Sequence, residues 1–387
     1  MIYLGCGNKC CGCTTCLNIC PKNAILMATS KEGFLYPAID SNKCIECHAC
    51  ENNCAWLNKK ENVNESNVFY AAKRKDFKKR MQSQSGGAFS VLAEEILSKH
   101  GVIYGVAFIG DEARYIRVTS KRHLSRLKGS KYLQAKVGNV FNIVASDLNN
   151  DKTVLFSGTA CHVDGLIHYL NFKKIDTKKL ITVDIICHGV VSPQIYLDYK
   201  NYIEKIHNGK LKWFNFRDKS FGWHGHIITY KIGHTIYKSK DYVKIFYSSY
   251  ALRKTCYECQ YANLKRISDI TIGDAWGIGD HFPEFDDNKG CSLIIVNSEK
   301  GKNLFSKVSG QFDFIKINKE QALQPNLQHP TEKPIDYDKF WDDYFKFGFE
   351  YVVYKYCEFG SIKETIILKK RQLIKRIAKK VKGIFGL

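Results

Sequence analysis

The sequence has no apolar run long enough to cross a bilayer. Its opening, "MIYLGCGNK", has neither the basic start nor the apolar stretch of a secretory signal. Both absences lead us to expect a cytoplasmic protein. The chain also has no helix-turn-helix, RNA-binding or zinc-finger signature. Nucleic acid is therefore not the expected partner, even though 59 lysines and arginines against 38 acidic residues give a formal net charge of +21. Hydrophobic content of 44% and aromatic content of 13% exclude a disordered chain, and 387 residues suffice for two or three domains.

Cysteine, by contrast, is abundant, with sixteen residues. In a reducing compartment so many thiols point to metal ligation or redox chemistry rather than disulfides. The stretch "NKCCGCTTCLNICPKNAI" spaces Cys10, Cys13, Cys16 and Cys20-Pro21 as in the bacterial ferredoxin run, and Cys44, Cys47, Cys50 and Cys54 repeat the spacing. Cys11 falls out of register, because it would leave one residue before Cys13. Two-residue gaps let three thiolates wrap one face of an iron–sulfur cube while the fourth reaches the other cluster. The expected sets are Cys10, Cys13 and Cys16 with Cys54, and Cys44, Cys47 and Cys50 with Cys20. A pair of zinc sites would show two well-separated CxxC halves instead. The second run ends in Cys54-Ala55, without the usual proline. Between the runs, "AILMATSKEGFLYPAID" alternates about Gly33 as a hairpin would.

A polar linker, "NKKENVNESN", precedes a second domain. There "VFYAA", "VIYGVAF" and the starts of "TVLFSGTACHVDGLIHYL" and "LITVDIICHGVVSPQIYLDYKNYIEKI" read as strands. "SGGAFSVLAEEILSKHG" and the ends of the last two read as helices, with Ser192 as N-cap and Pro193 at the first helical position. Strand–turn–helix units with apolar strands predict a covered, largely parallel sheet. A ligand cleft is expected beyond the strand ends, which carry Ser157–His162 and Cys187–Gly189.

The motifs "SGGAFSVL", "GSKYLQA", "VLFSGTACHVDGL", "DIICHGVVSP" and "CYECQYANLKRISDITIGDAWG" occur together and in order. In this the chain resembles the coenzyme F420 hydrogenase/dehydrogenase β-subunit family, in which a two-cluster ferredoxin domain is often fused in front. The resemblance runs from about Cys10 to near Asn297. It implies an α/β fold (α+β overall), with a ferredoxin-like domain ahead of a mixed, largely parallel flavin-binding domain and a C-terminal basic helix. It implies FAD, expected at Ser85, Gly86, Gly87, Ser130, Lys131, Tyr132, Gly158, Thr159, Gly189, Asp274 and Trp276. A third 4Fe–4S cluster is implied at Cys161, Cys187, Cys256 and Cys259, with zinc as the rival occupant of the CxxC. The chain departs from the family at Ala160 and His162, where proline and glutamine are usual, and at Ala275, where a larger residue is common.

Read from the residues alone, Ser85-Gly86-Gly87 at a helix start offers backbone N–H groups and a positive dipole end to a pyrophosphate, though each feature also suits a tight turn. His188 and His162 lie beside the expected site as candidate catalytic donors, and His224 and His226 could border it; each also suits a structural role. Cys6, Cys11, Cys291 and Cys357 are expected to be packing or surface thiols.

The expected domains are 1–60, the ferredoxin domain; 61–150 and 151–340, the two parts of the reductase domain; and 341–387, a helical basic tail. The expected function is an iron–sulfur flavoprotein oxidoreductase, taking electrons from a ferredoxin-type donor through clusters to FAD and on, as hydride, to a small organic acceptor in a setting such as polysaccharide biosynthesis. The alternative is an electron-transfer β subunit that serves a partner enzyme and turns over no small substrate. In "ETIILKKRQLIKRIAKKVKGIFGL", Ile366, Leu373, Ile377, Val381 and Ile384 form an apolar stripe among lysines and arginines. That pattern suits either a packed final helix or a peripheral contact with an anionic membrane at its inner face.

Overall fold

The computed structural model describes residues 9–59 and 67–359. In the small N-terminal domain, Ile25–Thr29 (β1) and Leu35–Ile39 (β2) pair antiparallel, with Ile25 opposite Ile39 and Thr29 opposite Leu35. Gly33 turns the hairpin with φ of 87°, a conformation that costs glycine little. A Cβ there would lie 2.4 Å from Gln194 Cβ, so the hairpin tip sits directly on the start of the helix Pro193–His207.

The two cysteine runs follow the same backbone path. Gly12 and Thr14 have positive φ in the first, and Glu46 and His48 have it at the corresponding positions of the second. Three of these four residues carry a Cβ, for which the left-handed region is uncommon. The spacing of the thiols is thus maintained against a local backbone cost.

The larger domain is built on a nine-stranded sheet. Its strands are Val68–Arg74 (β3), Val102–Ile109 (β4), Glu112–Val118 (β5), Ala135–Lys136 (β6), Val154–Thr159 (β7) and Leu180–Ile185 (β8). A separate antiparallel sheet intervenes, made of Leu211–Asn215 (β9), Ile228–Ile232 (β10) and Thr235–Ser239 (β11). The large sheet is completed by Ile270–Asp274 (β12), Ser292–Val296 (β13) and Phe312–Ile317 (β14), in the order β14-β3-β13-β12-β8-β7-β4-β5-β6. Parallel pairing occupies the centre, from β12 through β8 and β7 to β4. The pairs β12–β13, β13–β3, β3–β14 and β4–β5 are antiparallel. The sheet is therefore mixed, with its parallel part where covered apolar strands were expected.

Alternation along β7 sends Leu155 to one face and Val154 and Phe156 to the other, each buried in a separate core. Helices Ala88–Ser98 and Glu299–Val308 cover the first face through Val91, Leu92, Leu304 and Phe305. Helices Val140–Asn149 and Ala160–Phe172 cover the second through Val144, Val163 and Leu166. Pro193–His207 begins as predicted, with Ser192 Oγ accepting from the N–H groups of Gln194 and Ile195.

The small domain is docked on the helix Ala160–Phe172. Thr15 Oγ1 donates to Gly165 O at 2.9 Å, Asn18 Nδ2 donates to Gly138 O at 2.8 Å, and a Cβ on Gly165 would lie 2.7 Å from Cys13 Cβ. Residues 61–150 and 151–340 interleave in one sheet, because β3 lies between β13 and β14. The boundary expected at 340 falls inside the helix Tyr337–Phe347, whose Tyr337, Phe340 and Trp341 join the core. The folded domain therefore continues to Phe359, and the basic segment from 360 onward lies outside the described residues. No described helix is long and apolar enough to cross a membrane.

Candidate metal centres and cofactor cleft

Cys10, Cys13, Cys16 and Cys54 line one pocket with Thr14, Thr15 and Trp56. Burial, followed by the neighbouring Cys13, Cys10 and Cys54 sulfurs, pushes the Cys16 thiol up. Gly12 N–H donates to Cys10 Sγ at 3.3 Å, and Ala24 N–H to Cys20 Sγ at 3.3 Å. Cys20, Cys44 and Cys50 pack against the same small core, and Cys50 is raised by burial with a smaller contribution from Cys20. Cys47 is exposed. The outer thiol set therefore faces solvent, and the inner one faces the large domain.

A second cavity receives Cys161, Cys187, Cys256 and Cys259 together. Cys161 stands in the first turn of Ala160–Phe172, just beyond β7, and Cys187 lies just beyond β8. The CxxC pair comes from the tight turn around Lys254–Glu258. Gly189 makes the approach possible: its φ is 150°, and a Cβ would lie 2.8 Å from Leu252 Cδ1 and 3.3 Å from Cys256 Cβ. Burial and then Cys259 push the Cys256 thiol up to about 12. Burial and then Cys256 raise Cys187 further. A hydrogen bond with Cys11 pulls Cys161 down, but burial leaves it above the ordinary thiol value. Thiols gathered in so dry a place disfavour free thiolates, and a bound cationic centre would offset that cost. Among the described residues, no three His, Cys, Asp or Glu side chains converge tightly enough to hold a single metal ion.

Cys11, expected as a packing or surface thiol, stands between the two sites. It lines both cavities, as does Trp56. Cys13 pulls the Cys11 thiol down, but Cys161 and burial together raise it well above the ordinary thiol value. Register excludes it from the first cube but not from the wall between the two thiol sets. Cys291 and Cys357 are buried, and Cys6 lies outside the described residues.

His162 also borders the second cavity. Burial, then the charge of Arg253, pushes it down to about 4, and Tyr115 Oη lies 3.1 Å from its Nδ1. Gly158 is shaped by that tyrosine, since a Cβ would lie 1.9 Å from Tyr115 Oη. Thr159 Oγ1 contacts Cys161 Sγ at 3.2 Å. His188 uses both ring nitrogens, Nε2 on Ser249 Oγ and Nδ1 on Thr331 Oγ1, each at 3.2 Å, and burial lowers its pKa.

A separate cleft of about 750 Å³ opens beside β9. Ser130 and Lys131 line it, together with Arg126, Lys128, Lys200, Lys212, Arg217 and Lys219, against only Asp111 and Asp218. Burial lowers Lys131 to about 7. Burial and then Arg80 do the same to Lys219, whose Nζ donates to Arg80 O and Ser85 O at 2.7 Å. Ser85, Gly86 and Gly87 stand behind this wall. Ser85 Oγ donates to Cys291 O at 2.7 Å, and a Cβ on Gly86 would lie 2.2 Å from Ala72 O. The glycines thus serve close packing on β3 and β13. Tyr132 stacks on Phe246 with centroids 4.2 Å apart.

Asp274 and Trp276 belong to an aromatic stack next to the cleft. Trp276 lies between Trp223, at 4.6 Å, and His226, at 5.2 Å, with Arg217 over its ring. Asp274 Oδ1 accepts from Trp223 Nε1. Burial and then Arg217 push His226 down to about 4, and His224 Nε2 lies 2.9 Å from Asp286 Oδ2.

Sequence reasoning missed Arg217, Lys219, Tyr115 and Arg253. Arg253 stands three residues before the CxxC, a position that could have drawn attention to it.

Residues 151–320 match the family model for the C terminus of the coenzyme F420 hydrogenase/dehydrogenase beta subunit. Residues 9–57 match the 4Fe-4S dicluster domain. No curated protein matches. Among solved structures, a chain of the xenon-derivatised F420-reducing [NiFe] hydrogenase complex from Methanosarcina barkeri is 13% identical. That alignment covers 67% of this chain and 86% of the other, with a TM-score of 0.46.

Proposed function

We propose that this chain is an iron–sulfur flavoprotein oxidoreductase, because residues 9–57 match the 4Fe-4S dicluster domain and residues 151–320 match the model for the C terminus of the coenzyme F420 hydrogenase/dehydrogenase beta subunit. When bound, 4Fe–4S clusters would carry single electrons and FAD would collect two of them for a small organic acceptor. Cys20, Cys44, Cys47 and Cys50 would hold the outer cluster, where a ferredoxin-type donor could approach the exposed Cys47. Cys10, Cys13, Cys16 and Cys54 would hold the inner one, and Cys161, Cys187, Cys256 and Cys259 a third. The reading is carried by one observation: the last four thiols share a cavity whose wall, Cys11 and Trp56, is also a wall of the inner pocket.

The basic cleft suits the FAD pyrophosphate. Burial brings Lys131 and Lys219 down to about 7, and the negative charge of a dinucleotide would favour their protonated form. Ser130 adds a hydroxyl at the same wall. Tyr115 fixes the tautomer of a neutral His162 beside Cys161, so this histidine acts as a hydrogen-bonding group and not as a cation near neutral pH.

The test is anaerobic reconstitution with iron, sulfide and FAD, followed by reduction with ferredoxin or viologen in the presence of candidate organic acceptors. Acceptor-dependent turnover supports the enzyme. The description of the matched family as a β subunit favours a second reading, in which the chain passes electrons to a partner enzyme. Full cofactor loading and reduction without turnover of any acceptor would favour that one.

A further inference from the structure

Arg253 stands between the inner ferredoxin pocket and the second cysteine cavity. It is 1% exposed and lines the cavity. Its Nε donates to Cys10 O at 2.6 Å, and its guanidinium lies 3.9 Å from the Tyr36 ring centroid. Its backbone N–H donates to Val190 O at 3.1 Å, in the loop that follows Cys187. Two residues on, Thr255 Oγ1 donates to the same Cys10 carbonyl at 2.8 Å. One short segment thus holds both thiol sets, through Cys10 on one side and Cys256 on the other.

The terminal nitrogens Nη1 and Nη2 are buried and have no hydrogen-bond partner among the described residues, where Arg253 forms no ion pair. A guanidinium stays charged in a protein, and burying it without an anion is costly. Nη1 also lies beside the first cysteine loop, 3.5 Å from where a Gly12 Cβ would stand. A structural arginine would spend its fork on carbonyls or a carboxylate, whereas this one leaves both ends of the fork free between two sets of thiols.

We propose that Arg253 is a fixed counter-charge shared by the inner ferredoxin cluster and the third cluster, and that it raises the reduction potential of both. The inference rests on the function proposed above. A four-thiolate 4Fe–4S centre is anionic, and one-electron reduction adds a further negative charge. A fixed cation beside it therefore stabilises the reduced state more than the oxidised one. With both centres loaded, the transfer would take one electron from the inner centre and give it to the third, with no bond made or broken. The outer set, Cys20, Cys44, Cys47 and Cys50, is absent from both pockets that flank the guanidinium and serves as an internal control. Arg253 is thus a positioning residue in the electrostatic sense, acting through the cluster ligands.

The experiment is an EPR-monitored redox titration of the anaerobically loaded full chain, with iron content measured on each sample. Arg253→Gln should keep its iron and lower two of the three potentials by at least a tenfold change in the reduction equilibrium, which is about 59 mV for a one-electron couple. The potential of the outer centre should not move. Arg253→Lys, which keeps the charge, should stay close to wild type. Iron lost in Arg253→Gln but kept in Arg253→Lys at wild-type potentials would support the proposal equally. Unchanged potentials in a fully loaded Arg253→Gln would overturn it, as would the same iron loss in both variants. About eight irons and one zinc in the wild type would instead defeat the third-cluster reading, and the shift of the inner centre would still decide the role of Arg253.

Discussion

Arg217 and Asp274 form a buried ion pair, Nη1 to Oδ2, at 2.6 Å. The arginine side chain is 3% exposed and that of the aspartate 17%. Arg217 also donates from Nη2 to Trp223 O at 2.9 Å, so the pair holds the tryptophan stack against the cleft. Asp274→Asn leaves a buried guanidinium without its counter-charge and should cost about 3–5 kcal/mol. Urea unfolding of the two proteins measures it. A loss of only about 1 kcal/mol, the scale of a surface pair, would mean that water reaches Arg217.

Cofactor content should be about twelve irons and one flavin per chain if all three thiol sets carry 4Fe–4S clusters. Cys161→Ser or Cys256→Ser should remove about four of those irons, read by iron analysis and loss of one EPR signal. Cys11→Ser should keep them all, because Cys11 borders both sites without the register of a ligand. Four irons lost from Cys11→Ser would reassign the first run.

Flavin affinity should depend on pH. Free Lys131 and Lys219 titrate near about 7, far below an exposed lysine, so each loses its positive charge as pH rises through neutrality. A bound pyrophosphate favours the protonated form, and affinity for FAD should therefore fall from about pH 6.5 to about pH 9. Fluorescence titration of the flavin-free protein reads this directly, and Lys219→Met should flatten the profile. The linked effect on folding has the opposite sense. Both lysines are charged in the folded and unfolded chain below about pH 7, where their burial is destabilising. That penalty lifts as pH rises from about 7 towards the unfolded lysine value near 10.4. Equal FAD affinity at both pH values would place the pyrophosphate elsewhere.

The basic tail can be tested in the same chain. Full-length protein should float with vesicles of anionic lipid at low salt and lose that binding at high salt, since each lysine or arginine near the surface contributes about 1 kcal/mol. Deletion of residues 362–387 should abolish it. Equal flotation of the two proteins would rule out a membrane contact through residues 362–387.

Local chemistry made much of the architecture legible. The ferredoxin runs, the hairpin about Gly33 and the Ser192-Pro193 helix start each depend on residues within a few positions of one another. The approach of Cys161 to Cys187 followed from strand ends of one sheet, whereas their union with Cys256 and Cys259 was implied only by the family resemblance. The flanking antiparallel strands were not legible, because β3 is inserted between β13 and β14 by pairing across more than two hundred residues. Ser85-Gly86-Gly87 reads two ways for a physical reason. A glycine pair admits a ligand and a neighbouring strand by the same lack of a side chain, and at Gly86 β3 lies where a side chain would stand. Arg253 was marked only by its place ahead of the CxxC, and its significance lies in what fails to pair with its terminal nitrogens.

Gly165 has a consequence for how such a protein can be assembled. Its missing side chain lets Cys13 seat against the helix backbone, with Cys13 Sγ 3.0 Å from where a Cβ would stand. Electron tunnelling slows exponentially with separation, so one added methyl at this notch would act as a rate dial as well as a packing fault. A free-standing ferredoxin supplied in trans could reach the same surface only by finding that notch at each encounter. Fusion in one chain would replace that search with a fixed seat, and at this notch the seat depends on Gly165 carrying only a hydrogen.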